Sequence, residues 1–214
     1  SSSLFNVAMN TADGCMEFMR GAQKYDFGQP HADFGNNWGP NFGPGLLRLM
    51  GFFRDCGNAG ACIDPPDVSN WNVSNIKGFN LMFKQAGWSS SNNPDVSNWD
   101  VSSATTFSEF GALSSISALD TSNWEISSTC TSMWQFLENS DFNGTIDFSH
   151  PNCDFSGVTT FWRAFYNVPL TTFTLHANSD FSSCQNFTEF NPYYASLSTP
   201  DYDFFLSRLA ATGG

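Results

Sequence analysis

Four aspartates recur at one place in a repeated phrase: Asp67, Asp95, Asp120 and Asp147. If the repeats stack, their carboxylates form a column about 5 Å apart, the spacing of neighbouring strands. Like charges that close can take up a cation, which for oxygen ligands means calcium. Alternatively, each carboxylate accepts hydrogen bonds from the turn that follows it and faces water. The turn reading is preferred, because a calcium loop draws several oxygens from one loop and no Asp-rich loop of that kind occurs. The four aspartates stand as a weak metal set, and no other cofactor is expected. His150 and His176 lie 26 residues apart, so a two-His metal site with Asp147 can be drawn; turn residues at repeat spacing are the simpler reading. No Gly-x-Ser-x-Gly elbow, no Cys–His–Asn set and no Gly-rich phosphate loop after a strand is found. A protein that is not an enzyme is expected.

Six cysteines occur, with no CxxC pair. Cys56 and Cys62 bracket a pliable Gly-Asn-Ala-Gly-Ala stretch that a disulfide would close easily. Cys153 is expected to bridge to Cys130 or Cys184, which stand one unit to either side; the spacing does not choose between them. Sequons stand at Asn72, Asn143 and Asn186. Cysteines, sequons and scarce Lys together point to an oxidising, extracellular setting. The chain opens without a charged n-region and apolar h-region, so secretion would require a signal already removed.

These residues are positioned by a repeat. Asp67-Val68-Ser69-Asn70-Trp71-Asn72-Val73-Ser74 returns at Asp95–Ser102 and again, altered, at Asp120–Ser127. Such self-similarity means stacked units that share one core. The anchors Ile76, Ala104, Cys130, Val158 and Cys184 are spaced 28, 26, 28 and 26 residues. A Ser stands two residues before each anchor (Ser74, Ser102, Ser128, Ser156, Ser182), where it reads as a helix N-cap. Apolar residues follow at the third and the sixth or seventh positions, one face of a short helix. The other half of each unit reads as a strand of two to four residues, with Ile146 and Phe148 alternating around Asp147, and Phe173 and Leu175 around Thr174. Trp71, Trp99 and Trp124 form an inward column that becomes Cys153 and Ser179, so the core is expected to narrow there. The expected fold is an α/β solenoid of about 25–28-residue coils, each a short strand plus a short Ser-capped helix. Residues 1–64 read as an N-terminal cap with one or two degenerate repeats, 65–199 as the solenoid and 200–214 as a closing helix with Tyr202, Phe205, Leu206 and Leu209 on its apolar side.

Composition narrows the partners. Hydrophobic residues make up 41%, charged residues only 13%, and 8 basic residues face 20 acidic ones for a net charge of −12. That balance excludes nucleic acid and anionic membrane surfaces, which require clustered Lys and Arg. No apolar run is long enough to cross a bilayer. Loop aromatics are the binding candidates: Trp88, which precedes a polar insertion, with Tyr193 and Tyr194.

The phrase Asp-Val-Ser-Asn-Trp-Asp-Val-Ser, followed by a Ser-started turn and Met82-Phe83, resembles the BspA-like leucine-rich repeat, a unit also known from mycoplasma lipoproteins. The likeness is close over 67–136 and weaker over 146–190; the Met-Phe pair survives only as Met82-Phe83, and the last two units lose the Trp. It implies a right-handed solenoid, secretion or surface display, and a part in adhesion, recognition or matrix. It implies no catalytic residues. Expected partners are therefore further copies of the chain or other extracellular proteins, in a filament, coat or matrix. A lectin-like or peptide-recognition module working on one solenoid face, with carbohydrate among its ligands, is the alternative.

Overall fold

The computed structural model describes residues 47–57, 64–177 and 179–190, together with Asp203, Leu206, Ser207 and Ala210. Its frame is a single file of parallel bridges: Arg48 to Gly78, Gly78 to Thr106, Thr106 to Ser132, Ser132 to Thr160, and Thr160 to Asn186. Each of the last five members lies two residues after one of the sequence anchors, so the period of the sequence is the period of the ladder. Arg48 carries the file back into the segment read as a cap.

The stretch after each bridge departs from the expected short helix. Among the described residues of 47–190, no α-helix forms there. From Phe79 onward the backbone alternates. The N–H groups of Phe79, Leu81, Phe83 and Gln85 donate to the carbonyls of Thr106, Ser108, Phe110 and Ala112 in the next rung, at 2.7–3.1 Å. Those of Met82, Lys84 and Ala86 turn back to Phe79, Leu81 and Phe83. Alternation requires a left-handed residue at every fourth position: Leu81 and Gln85, Glu109 and Leu113, Gln135 and Asn139, and Arg163 and Asn167 all have φ between 51° and 61°. A left-handed L-residue costs roughly 1–2 kcal/mol; the inter-rung bonds obtained in exchange satisfy buried amides that would otherwise be orphaned. The apolar spacing is the same as for a helix, because Phe79, Met82, Phe83 and Ala86 still point inward and are all buried.

The serines do not act as helix caps either. The N–H of Ser74, Ser102, Ser156 and Ser182 donates to the side chain two residues earlier, on Asn72, Asp100, Asp154 and Asp180. Each is the closing residue of an Asx turn.

Regular strands appear late in the chain. β1 (Thr145–Phe148) and β2 (Thr172–Leu175) pair in parallel with Ile146 opposite Phe173 and Phe148 opposite Leu175. The interior side chains alternate as the sequence pattern requires. The other edge of β1 is not laddered to the preceding unit. There the Thr121 hydroxyl accepts from the Asp147 N–H at 3.1 Å and donates to the Asp147 carbonyl at 2.8 Å. A cleft of about 340 Å³ opens beside it, lined by Leu119, Asp120, Phe142, Thr145 and Asp147.

The core runs along the file. Trp71, Trp99 and Trp124 are buried; Trp71 and Trp99 stack with ring centroids 6.4 Å apart. The indole N–H groups of Trp99 and Trp124 donate to the carbonyls of Val68 and Val96, one unit back, at 3.0 Å. Where Trp gives way to Cys153 and Ser179, the aromatic ring shifts to the neighbouring inward column. The position two residues on changes from Val73, Val101 and Ile126 to Phe155 and Phe181, both buried and stacked at 5.2 Å. Aromatic volume has moved along the chain and stayed in the core.

At the far end, Asp203, Leu206, Ser207 and Ala210 are helical. Leu206, expected on the apolar side, is 42% exposed. Tyr202, Phe205 and Leu209 lie outside the described residues. No helix among the described residues is long and apolar enough to cross a membrane.

A candidate interaction face

The turn stretches of successive rungs lie side by side, so their outward residues form columns. Four residues after each anchor stand Asn80, Ser108, Trp134, Trp162 and Thr188. Three of these are small and polar; two are tryptophan. Trp134 is 37% exposed, one of the few exposed large apolar residues among those described. Its ring stacks on Trp162 with centroids 5.9 Å apart and planes within 18°. The Arg163 guanidinium sits over the Trp162 ring at 4.7 Å and over the Tyr166 ring at 4.5 Å, a double cation–π contact.

Charges on this face are paired across rungs. Lys84 meets Glu109, and Arg163 meets Glu189 and, at 3.2 Å, Glu138. Gln135 donates to Glu138 as well. Burial pushes the Glu138 carboxyl above its ordinary range, with Arg163 pulling it back down. A row of polar side chains runs up to the tryptophans. The Asn80 amide donates to the Thr106 hydroxyl at 3.1 Å, Thr106 bonds Ser108 at 3.1 Å, and Ser108 bonds Ser132 at 2.8 Å. The Trp134 backbone N–H then donates to the Ser132 hydroxyl at 3.3 Å.

The sites expected from sequence fall elsewhere. In the aspartate column, Oδ1 of Asp67, Asp95, Asp120 and Asp147 accepts the N–H of Ser69, Ser97, Ser122 and Ser149, at 2.8–3.1 Å. Three of these carboxylates also accept the Ser hydroxyl at 2.7 Å. The geometry is that of turn acceptors, and no group of three or more His, Cys, Asp or Glu placed to hold a metal lies among the described residues. His150 is engaged locally: its Nδ1 accepts the Asn152 N–H, and its Nε2 faces Glu125 at 3.7 Å.

Cys153 does not bridge to Cys130 or Cys184; the three are separate buried thiols. The reason is position. Cys153 occupies the Trp column and its Sγ donates to the Trp124 carbonyl at 3.0 Å, whereas Cys130 and Cys184 sit in the anchor column and reach the carbonyls of Ser132 and Asn186. Burial pushes the Cys130 thiol up to about 12 and the Cys153 thiol up to about 11, and raises Cys184. Cys56 is buried, and its expected partner Cys62 lies outside the described residues. Of the sequons, Asn72 and Asn143 are exposed. Asn186 is half-buried in the bridge file, its Oδ1 taking the Thr188 N–H.

Trp88 is not a surface aromatic. It is buried, against Phe53, Cys56, Pro66 and Ala86, because the polar residues after it carry the chain outward while the ring closes the interior. Tyr193 and Tyr194 lie outside the described residues. The exposed Trp134 and its partner Trp162 were missed. A signal was available: the column four residues past the anchor is otherwise Asn, Ser and Thr, so an aromatic there breaks the pattern of a solvent-facing position.

Comparison with protein families gives a match over residues 49–178 to the model described as Mycoplasma protein of unknown function, DUF285. The chain belongs to this family. The DUF285 match starts one residue after the Arg48 bridge and contains the buried Trp71, Trp88, Trp99 and Trp124, both strands and the Trp134–Trp162 pair. No curated protein and no solved structure matches the chain.

Proposed function

We propose that these units are BspA-like leucine-rich repeats wound into a right-handed solenoid, and that the protein is a non-enzymatic structural or adhesive component of an extracellular assembly. The observation that carries this reading is the unbroken file of parallel bridges from Arg48 to Asn186. A file of that kind yields a rigid rod whose long faces repeat at each unit, a shape suited to many identical contacts. The solvent-facing columns of Asp, Asn and Ser support it: their acidic groups serve turns and hold no ion-binding cluster among the described residues. The two exposed sequons agree with a secreted surface. The buried thiols do not bear on the compartment, since they are packed as small apolar groups.

The reading is tested on native material. Antibodies to the chain, used with electron microscopy on cells and their shed matrix, are expected to decorate an extracellular filament, coat or sheet at a regular interval. Label confined to the cell interior, or a purified protein that stays a single copy at high concentration and binds no extracellular component, would overturn it.

A further inference from the structure

We infer that Trp134 and the polar row beside it form a binding site for a neutral pyranose sugar of a glycan chain. The site is built from three observations. First, Trp134 shows its indole to water while the neighbouring position on one side, Ser108, is small. One side of the ring is packed on Trp162; the other faces a shelf that no bulky residue of its column fills. Second, that shelf carries hydrogen-bonding groups in a line, the Asn80 amide and the hydroxyls of Thr106, Ser108 and Ser132, each linked to the next at 2.8–3.1 Å. The Thr106 hydroxyl is filled by the Asn80 amide and the Ser108 N–H and hydroxyl, but the Ser108 and Ser132 hydroxyls each make one bond fewer than they can, and the Asn80 amide offers both kinds of group. Third, the platform is held before any ligand arrives. Arg163 clamps Trp162 and Tyr166 from between and is itself tied to Glu138 and Glu189. A pre-ordered ring spends little entropy on binding.

These features select a class of ligand. A pyranose has an apolar C–H face and an equatorial rim of hydroxyls, so it can lie against an indole while its rim meets a line of hydroxyls and amides. A peptide strand would ask for free backbone groups at an edge, but the backbone N–H groups here are used between rungs. An anionic sugar is disfavoured: Lys84 and Arg163 already face carboxylates, and the chain carries a net charge of −12. The inference goes beyond the scaffold reading above, and either can fail without the other.

The test is titration of the purified chain with maltohexaose, cellohexaose, laminarihexaose and chitohexaose, followed by tryptophan emission and calorimetry. At least one is expected to bind saturably and to change the emission. Trp134→Ala should weaken that binding about tenfold or more, the loss of one stacking contact and the surface it buries. Trp134→Phe should retain it to within about threefold, and Ser108→Ala should weaken it less than Trp134→Ala. Leu113→Ser, an exposed residue in another column, should leave it unchanged. Trp134 is exposed, so its variants are expected to keep the parent melting temperature, which is measured alongside. Absence of saturable binding to all four saccharides overturns the inference, as does binding that survives Trp134→Ala. So does Trp134→Ala converting a self-associated protein to single copies with no saccharide effect, which would make this face a contact between copies.

Discussion

Between Pro66 and Ile126 the interior is filled by an indole standing beside a small branched neighbour: Trp71 with Val73, Trp99 with Val101, Trp124 with Ile126. Between Thr145 and Phe190 the same two positions hold a small residue and a phenylalanine, Cys153 with Phe155 and Ser179 with Phe181. The polar ends of the Trp99 and Trp124 indoles have a task, donating to the carbonyl one unit back. In the later part the Cys153 thiol takes a carbonyl as well, that of Trp124, while Phe155 and Phe181 stack in place of the indoles. Here, too, the backbone becomes more regular, with β1 and β2 laddered in register. Both parts keep an aromatic ring in the core at every unit; which of two columns supplies it is free to change. At the boundary between the two parts the fit is least regular, with the Thr121 hydroxyl bridging a gap and a cleft beside it.

The boundary is the place to break this comparison most severely. A methyl group on Gly157 would stand 1.8 Å from the Ser128 carbonyl oxygen, a backbone atom that cannot swing aside. Gly157→Ala is therefore expected to cost more than about 4 kcal/mol and to split the two parts, read as a large drop in urea midpoint or loss of a single cooperative transition. Gly111→Ala is the control: its nearest atoms at 2.8–2.9 Å are side-chain ends of Leu137 and Ile116, which can give, so about 1–2 kcal/mol is expected.

Exchange of the two fillings sharpens the comparison. Trp99→Ala should cost about 3–5 kcal/mol in the early part. In the later part, Cys153→Trp alone should destabilise by about 1–3 kcal/mol through overpacking against Phe155. Adding Phe155→Val should recover part of that loss, giving a favourable coupling of about 1 kcal/mol or more in a double-mutant cycle. Strict additivity would show that the two columns do not share volume.

The thiols differ from those of a disulfide-stapled protein in a way that can be measured. With Cys130 at about 12 and Cys153 at about 11, both stay protonated when folded. An unfolded thiol ionises at its ordinary value, so above that pH the unfolded state has lost protons that the folded state keeps. Stability is then present below pH 9.0 and falls as pH rises beyond it. Melting temperatures from pH 8 to 10 should decline, less so in Cys130→Ala after correction for its lower baseline, and thiol reagents should label Cys130 and Cys153 only at the rate of unfolding.

The smallest effect concerns Glu138, whose carboxyl is raised by burial. The folded state holds its proton more tightly than the unfolded chain, so stability increases as pH falls through the interval between the ordinary and the raised value. Glu138→Gln removes that titration. The variant should be the more stable near pH 7, and the difference should shrink toward pH 4. A constant difference across that range would remove burial of the charge as the cause.

Much of this arrangement is legible in the residues. The inward columns at Trp71, Phe79 and their equivalents follow from period alone, since stacked units must point matching residues the same way. The strand alternation at Ile146 and Phe148 is equally direct. The turn stretch was not legible, because residues at the third and sixth or seventh positions face inward both in a helix and in a chain that bonds alternately to itself and to its neighbour. Glycine would have marked the left-handed sites, but they hold Leu, Gln, Glu, Asn and Arg. The expected cysteine bridge failed although the period placed Cys153 in the tryptophan column: a neighbouring column is not bonding distance, and the Cys153 thiol meets the Trp124 carbonyl instead. Trp88 was judged by its polar neighbours, when the ring itself was large enough to seal the interior. For the candidate site the signal lay in an exception, two indoles in a column of small polar residues, and exceptions are visible only after the column is known.

The left-handed sites have an evolutionary consequence. Half-exposed positions ordinarily drift with little restraint. Here Leu81, Gln85, Glu109, Leu113, Gln135, Asn139, Arg163 and Asn167 share a backbone shape that a side chain branched at Cβ fits badly, and Val, Ile and Thr are absent from all eight. The protein's outer skin is thus written in a reduced alphabet: a duplicated unit can change its surface chemistry from Leu to Glu to Arg on one backbone shape, yet one extra methyl at Cβ would strain it.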